Sequence, residues 1–157
     1  CSATVRAAWD KRYLYVEVTV RDDRFIPPPH ATWSRDGAEL FINSDLSPLI
    51  NENNHQLFFT PRTASGKGFD AMPKGALAGL EGTGSTTEDG YRIAVRAPLE
   101  KLKIRPAIGS AIGFDVAVND QDQPDKGRKL SLLWAGTGNN YRDPSRLGRL
   151  VLVGKAR

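Results

Sequence analysis

From Tyr13 to Arg21 the chain alternates without a break: Leu14, Val16, Val18 and Val20 fall on one parity, and Tyr13, Tyr15, Glu17, Thr19 and Arg21 on the other. Successive side chains of a strand point to opposite faces, so this run has one apolar and one polar face when extended and neither when helical. The period returns over 110–119, with Ile112, Phe114, Val116 and Val118 opposed to Asp115, Ala117 and Asn119. It returns again where Tyr91, Ile93 and Val95 oppose Arg92 and Arg96. Runs of this kind build antiparallel sheet that is apolar on one side only.

Further strands are predicted over Thr4–Trp9, Ala38–Asn43, His55–Thr60, Lys129–Trp134 and Arg149–Val153, with a weak edge strand over Ala76–Gly82. Asp10-Lys11 makes the first pair a hairpin. Pro27-Pro28-Pro29 forbids helix and central strand in the loop that delivers Trp33. Pro61–Pro73, with Gly66 and Gly68, reads as loop, and Pro98–Leu102 holds one helical turn. Some eight to ten short strands with almost no helix predict an all-β fold, an antiparallel β-sandwich of jelly-roll type. No repeat, low-complexity tract or linker divides the chain, so 1–157 is expected to be a single domain.

Lys and Arg number 22 against 18 Asp and Glu, but the two signs are interleaved from Arg6 to Arg157. Without a basic block or stripe, nucleic acid is not an expected partner. No apolar run approaches the roughly 20 residues of a membrane span. The one cysteine, Cys1, excludes an intrachain disulfide. It is read as a fragment boundary, with a lipid-anchor attachment site as the alternative, since a strand begins within a few residues of it.

A conventional enzyme is hard to assemble. There are two histidines, His30 and His55, and no Gly-x-Ser-x-Gly elbow, Walker loop or His-Glu-x-x-His. Eighteen acids offer many carboxylate pairs, yet most sit in loops beside basic neighbours, as solvated charges do. Two acid groups, Asp120, Asp122 and Asp125, and Asp22, Asp23 and Asp36, have the oxygen chemistry of a calcium site. They compete with the ordinary reading of acid-rich turns as solvated or self-capping.

The stretch Trp33 to Asp45 carries the sharpest signal. Parity turns Leu40 and Ile42 to the core and Glu39, Phe41 and Asn43 away from it. Trp33 precedes the strand in polar, Gly-containing sequence. A flat ring beside an outward carboxylate suits a ligand with apolar C–H faces and hydroxyl edges, as a sugar has. The alternative is that Trp33 closes the end of a core. Tyr141, in the polar loop Gly138 to Pro144, could oppose Trp33 across a cleft.

Four ordered segments now carry a resemblance: Trp9-Asp10-Lys11-Arg12-Tyr13-Leu14-Tyr15-Val16, Trp33 to Ile42, Ile112 to Asp120, and Gly138 to Pro144 before Leu147-Gly148. Together they resemble the family 9 carbohydrate-binding modules, which belong to a wider group of DOMON-like β-sandwiches. The family usually has further strands before the Trp9-Asp10 hairpin, so the chain is expected to be a fragment or a trimmed variant. The resemblance implies a noncatalytic module that grips a terminal sugar between two rings. Trp33 and Glu39 match the first aromatic and the carboxylate, Asn119 the amide, and Tyr141 the second ring, commonly Trp. It also implies structural calcium at Asp22, Asp23, Asp36 or Asp122.

The expectation is therefore a carbohydrate-binding module of an extracytoplasmic bacterial protein acting on an oligo- or polysaccharide, with Trp33, Glu39, Asn119, Tyr141 and Arg96 at the site. Arg92 or Arg96 at the cleft would favour an acidic sugar. Three other readings stand beside it: a structural or partner-binding sandwich, a haem-binding one in which Met72 and a histidine would supply ligands, and a piece of a catalytic domain whose acid lies outside the fragment.

Overall fold

In a computed structural model the described residues form ten strands and one short 3-10 helix. The structure describes residues 1–26, 33–61, 69–72, 77–123 and 126–154. Two antiparallel sheets face each other. The first has the order β1 (Ser2–Trp9), β2 (Tyr13–Arg21), β7 (Gly90–Pro98), β6 (Glu81–Thr87). The second has the order β10 (Gly148–Val151), β8 (Ala111–Asp120), β3 (Gly37–Asn43), β4 (Asn54–Pro61), β5 (Phe69–Met72), with β9 (Leu130–Leu133) also paired to β8.

Parity decides what lies between the sheets. Leu14, Val16, Val18 and Val20 of β2 and Tyr91, Ile93, Val95 and Ala97 of β7 meet Ala38, Leu40 and Ile42 of β3, Leu57 and Phe59 of β4, and Ile112, Phe114, Val116 and Val118 of β8. Burying one such aliphatic or aromatic side chain is worth about 1.5–3 kcal/mol. The β1–β2 hairpin closes at Asp10, whose Oδ1 accepts from the backbone N–H groups of Arg12 and Tyr13 at 2.7 and 2.8 Å. The indole N–H of Trp9 donates to the carbonyl of Val153 at 2.8 Å and ties the edge of the first sheet to the end of the second. The expected helical turn is present after β7, where Leu102 N–H donates to the carbonyl of Pro98 at 3.1 Å.

Two elements differ from the sequence expectation. β5 lies inside the segment read as loop, and the edge strand of the first sheet runs over Glu81–Thr87 rather than Ala76–Gly82. Glu81–Thr87 carries two glycines and no apolar alternation. It is a strand because β7 offers it a backbone edge, a cause that local pattern does not record. No helix among the described residues is long and apolar enough to cross a membrane.

The second sheet is also covered on its outer side, which leaves no room at Gly37, the first residue of β3. A Cβ there would lie 2.4 Å from both the Phe58 ring and the carbonyl oxygen of Phe59. Gly37→Ala is expected to lower unfolding stability by about 2 kcal/mol or more. Gly138→Ala, where a Cβ meets nothing within 4 Å, should stay within about 0.5 kcal/mol of the parent. Urea denaturation of the two variants checks this, and equal losses would contradict the packing described.

Candidate functional site

The outer face of the second sheet is set by the strand register. Phe41 lies opposite Gln56 of β4 and Asp115 of β8; Glu39 lies opposite Phe58 and Ala117; Gly37 lies opposite Asn119, which in turn faces Ser131 of β9. These residues point away from the hydrophobic core, yet Glu39, Phe41, Phe58, Asp115, Ala117 and Asn119 are all buried. Loops 33–36 and 134–143 lie over them.

Buried polar groups must find partners. Glu39, 3% exposed, accepts from the Asn119 amide at 2.6 Å through one oxygen and from the Gln56 amide at 2.7 Å through the other. The Asn119 carbonyl oxygen accepts from Arg128 Nη1 and from the Ser131 hydroxyl, both at 3.0 Å. Arg128 Nη1 stands 3.6 Å from Glu39 and donates to the carbonyl of Trp33 at 3.4 Å. Asn119 is thus wholly enclosed beneath Glu39, with both ends of its amide engaged.

Two buried aspartates fasten the covering loops. Asp115 accepts from the N–H groups of Ala135 and Gly136, each at 2.9 Å, and from the Asn140 amide at 2.6 Å. This holds the turn that presents Tyr141. A Cβ on Gly136 would fall 2.6 Å from that carboxylate, so only glycine lets the loop pass so close. Asp36 accepts from the N–H groups of Ile26 and Gln121, each at 2.6 Å, and holds the turn that presents Trp33. The two rings they present are among the most exposed aromatics, Trp33 at 55% and Tyr141 at 54%.

Trp33 and Tyr141 line a cleft of about 430 Å³ together with Glu39, Phe41, Gln56, Arg128 and Ser131. The structure therefore brings Trp33, Glu39 and Tyr141 together, with Asn119 one layer down. It does not bring Arg96 there. Arg96 is on the outer face of the other sheet, beside a separate depression of about 650 Å³, where it pairs with Glu81 at 2.6 Å and lies over the Tyr13 ring. Arg92 is on that face too, paired with Glu17. Sequence reading missed Gln56, Arg128 and Asp115. The parity of 55–60 puts Gln56 on the Phe41 side, but Arg128 follows Gly127 in a loop where no period points anywhere.

At the neighbouring end of the sandwich, Asp22, Asp120 and Asp122 converge, with one carboxylate oxygen from each within 4.8 Å of the others. One oxygen of each is buried and has no hydrogen-bond partner. Three orphaned, converging oxygens fit a hard cation such as calcium. Of the four acids expected to ligate, Asp22 and Asp122 are in this group, joined by Asp120. Asp23 is exposed and outside it, and Asp36 is spent on backbone amides. Asp125 lies outside the described residues. Burial pushes the Asp36 carboxyl up to about 7 against the pull of its two amide donors, with Asp22 and Asp120 adding to the rise. Asp120 is raised by burial first, then by Asp22 and Asp122. A bound cation would offset these repulsions. Of the residues considered for haem, His55 sits at the start of β4 with its Nε2 buried and unpartnered, while His30 and the Met72 side chain lie outside what is described.

Comparison with known proteins agrees with this architecture. The family model described as "Carbohydrate family 9 binding domain-like" matches residues 1–155. Endo-1,4-beta-xylanase A of Thermotoga maritima is 32% identical over 97% of the chain, and endo-1,4-beta-xylanase C of Paenibacillus barcinonensis is 28% identical over 98%. The chain spans 14% of the length of each. Among solved structures, a family 9 carbohydrate-binding module from Caldicellulosiruptor kristjanssonii in complex with cellotriose superposes with a TM-score of 0.77 at 23% identity, covering 98% of this chain and 76% of that one. The same module with glucose gives 0.78 at 22% identity, covering 98% and 78%. At such identities the superpositions establish the sandwich, while the family model reaches across both sheets and the loops above them: the chain belongs to the carbohydrate family 9 binding domains.

Proposed function

We propose that residues 1–157 act as one noncatalytic module that grips the terminal sugar of an oligo- or polysaccharide between the faces of Trp33 and Tyr141. The observation that carries this reading is two half-exposed rings lining one cleft together with a buried, hydrogen-bonded carboxylate. Each ring offers an apolar face to the C–H side of a pyranose. Glu39 uses one lone-pair site per oxygen on Asn119 and Gln56, and an ionised carboxylate has about four, so it can still accept from sugar hydroxyls. Asn119 serves by fixing Glu39. Tyr141 has a smaller face than an indole, which favours modest affinity.

Glycoside hydrolysis uses two carboxyl groups about 5–9.5 Å apart across the bond. Among the described residues the cleft lining contains one, Glu39. The xylanases that the chain resembles, and the cellotriose and glucose seen in structural relatives, support a module of a bacterial polysaccharide-active protein working outside the cytoplasm. We also assign calcium to Asp22, Asp120 and Asp122, where it would brace the ends of β2 and β8 next to the Trp33 loop.

Calorimetric titration with glucose, cello-oligosaccharides and xylo-oligosaccharides is expected to give binding in the micromolar to millimolar range, about −8 to −4 kcal/mol. Trp33→Ala should abolish it with the melting temperature nearly unchanged, because the ring is largely in solvent. A large fall in melting temperature would make Trp33 part of the core, and silence across the panel from a folded protein would favour the partner-binding reading.

Calcium is expected to raise the melting temperature at pH 7–8, and chelation to lower it, an effect that Asp120→Asn removes. The sign of the pH dependence follows from Asp36. Its folded value lies above the ordinary 3.8, so in calcium-free protein its ionisation costs stability, which should fall as pH rises from about 4 to about 7. Added calcium should flatten that fall. A melting temperature indifferent to calcium across this range would refute the assignment.

A further inference from the structure

Among the described residues the cleft lining holds two charged side chains, Glu39 and Arg128, and they are placed unequally. The Glu39 side chain is 4% exposed, both oxygens already accept from amides, and it lies 3.6 Å from the guanidinium. The Arg128 side chain is 40% exposed. A ligand entering between the rings therefore meets the cation more than the anion. Arg142, whose guanidinium carbon is 5.5 Å from the centre of the Tyr141 ring, adds a second positive charge beside the second arm.

The work that Arg128 does inside the protein does not require a guanidinium. All its contacts among the described residues run through Nη1: Asn119 at 3.0 Å, the Trp33 carbonyl at 3.4 Å and Glu39 at 3.6 Å. Asn119 has a second donor in Ser131, so a neutral amide would serve this position as well. What the guanidinium adds is a charge and the Nε–Nη2 edge, which no acceptor among the described residues occupies. Such an edge matches a carboxylate with two parallel hydrogen bonds.

We propose that Arg128 makes the cleft selective for a sugar end that carries a carboxylate, and that the preferred ligand is a uronic acid. This rests on the carbohydrate reading above. Two exposed rings lining one cleft suit a closed pyranose with flat faces, which a hexuronate keeps and an open-chain aldonate lacks. The carboxylate meets the free edge of Arg128 at the rim, while the ring hydroxyls reach Glu39 below.

The test is calorimetric titration of the whole chain with glucose, glucuronate, gluconate and acetate at low and high salt. Glucuronate is expected to bind about tenfold more tightly than glucose at low salt, with the advantage shrinking as salt screens the pair. Gluconate and acetate should gain nothing. The ratio of glucuronate to glucose affinity should fall to one or below in Arg128→Gln and survive in part in Arg128→Lys. The salt dependence of the unmodified protein supplies an answer even if a variant fails to fold. Glucose binding equal to or tighter than glucuronate binding overturns the selectivity and leaves the carbohydrate reading intact. Failure of both sugars overturns both, and acetate binding as tightly as glucuronate overturns the ring requirement by making Arg128 a plain anion site.

Discussion

Everything at this site depends on burying polar side chains on the side of a sheet that faces away from the core. Glu39, Asp115 and Asn119 leave the hydrophobic interior by strand parity and are still enclosed. A buried carboxylate left without donors would cost several kcal/mol. The chain meets that demand from outside the sheet: backbone amides of Ala135 and Gly136 close on Asp115, and Gln56, Asn119 and Arg128 surround Glu39. Satisfying the carboxylates and shaping the cleft are therefore one event.

The two arms of the cleft are tied in the same way. Asp115 fixes the turn of Tyr141, and Asp36, receiving Ile26 and Gln121, fixes the turn of Trp33. Because Asp36 immediately precedes β3 and Asp115 lies within β8 of the same sheet, the placement of the two rings is tied to strand spacing as well as to the loops. Rigid placement of this kind lowers the ordering cost of binding, which matters when the ligand is small and mostly hydroxylated. The opposite sheet shows the contrast. Its outer face carries Arg6, Glu17, Arg92, Glu81 and Arg96 as exposed ion pairs, which are worth little and enclose nothing.

Parity made the two sheets and the outward turn of Glu39 legible in the sequence, because alternation is a local property. That Trp33 and Tyr141 share a cleft was suggested by the polar loop around Tyr141 and by the resemblance, and it is realised through contacts far apart in the chain, such as that between Asn119 and Glu39, 80 residues apart. Which of two outward faces a residue joins is not local. Arg96 and Glu39 both leave the core by parity, but β7 pairs with β2 and β3 pairs with β8, so they end on opposite sides of the sandwich. The acid group was half legible for the same reason. The sequence grouped Asp120 with Asp122 and Asp22 with Asp36 by nearness along the chain, whereas the fold brings Asp22, Asp120 and Asp122 together and turns Asp36 to two backbone amides, a choice that only the folded loops decide.

The most direct test of the central claim is a nitrogen–proton correlation spectrum of the labelled protein during titration with cellobiose. The indole of Trp33, the side-chain amide of Gln56 and the backbone amides of 137–141 should shift together along one binding curve, while those of Glu81–Thr87 and Arg96 stay still. Shifts confined to the face of β1, β2, β7 and β6 would contradict the account, because they would put the sugar on the sheet that the loops leave uncovered.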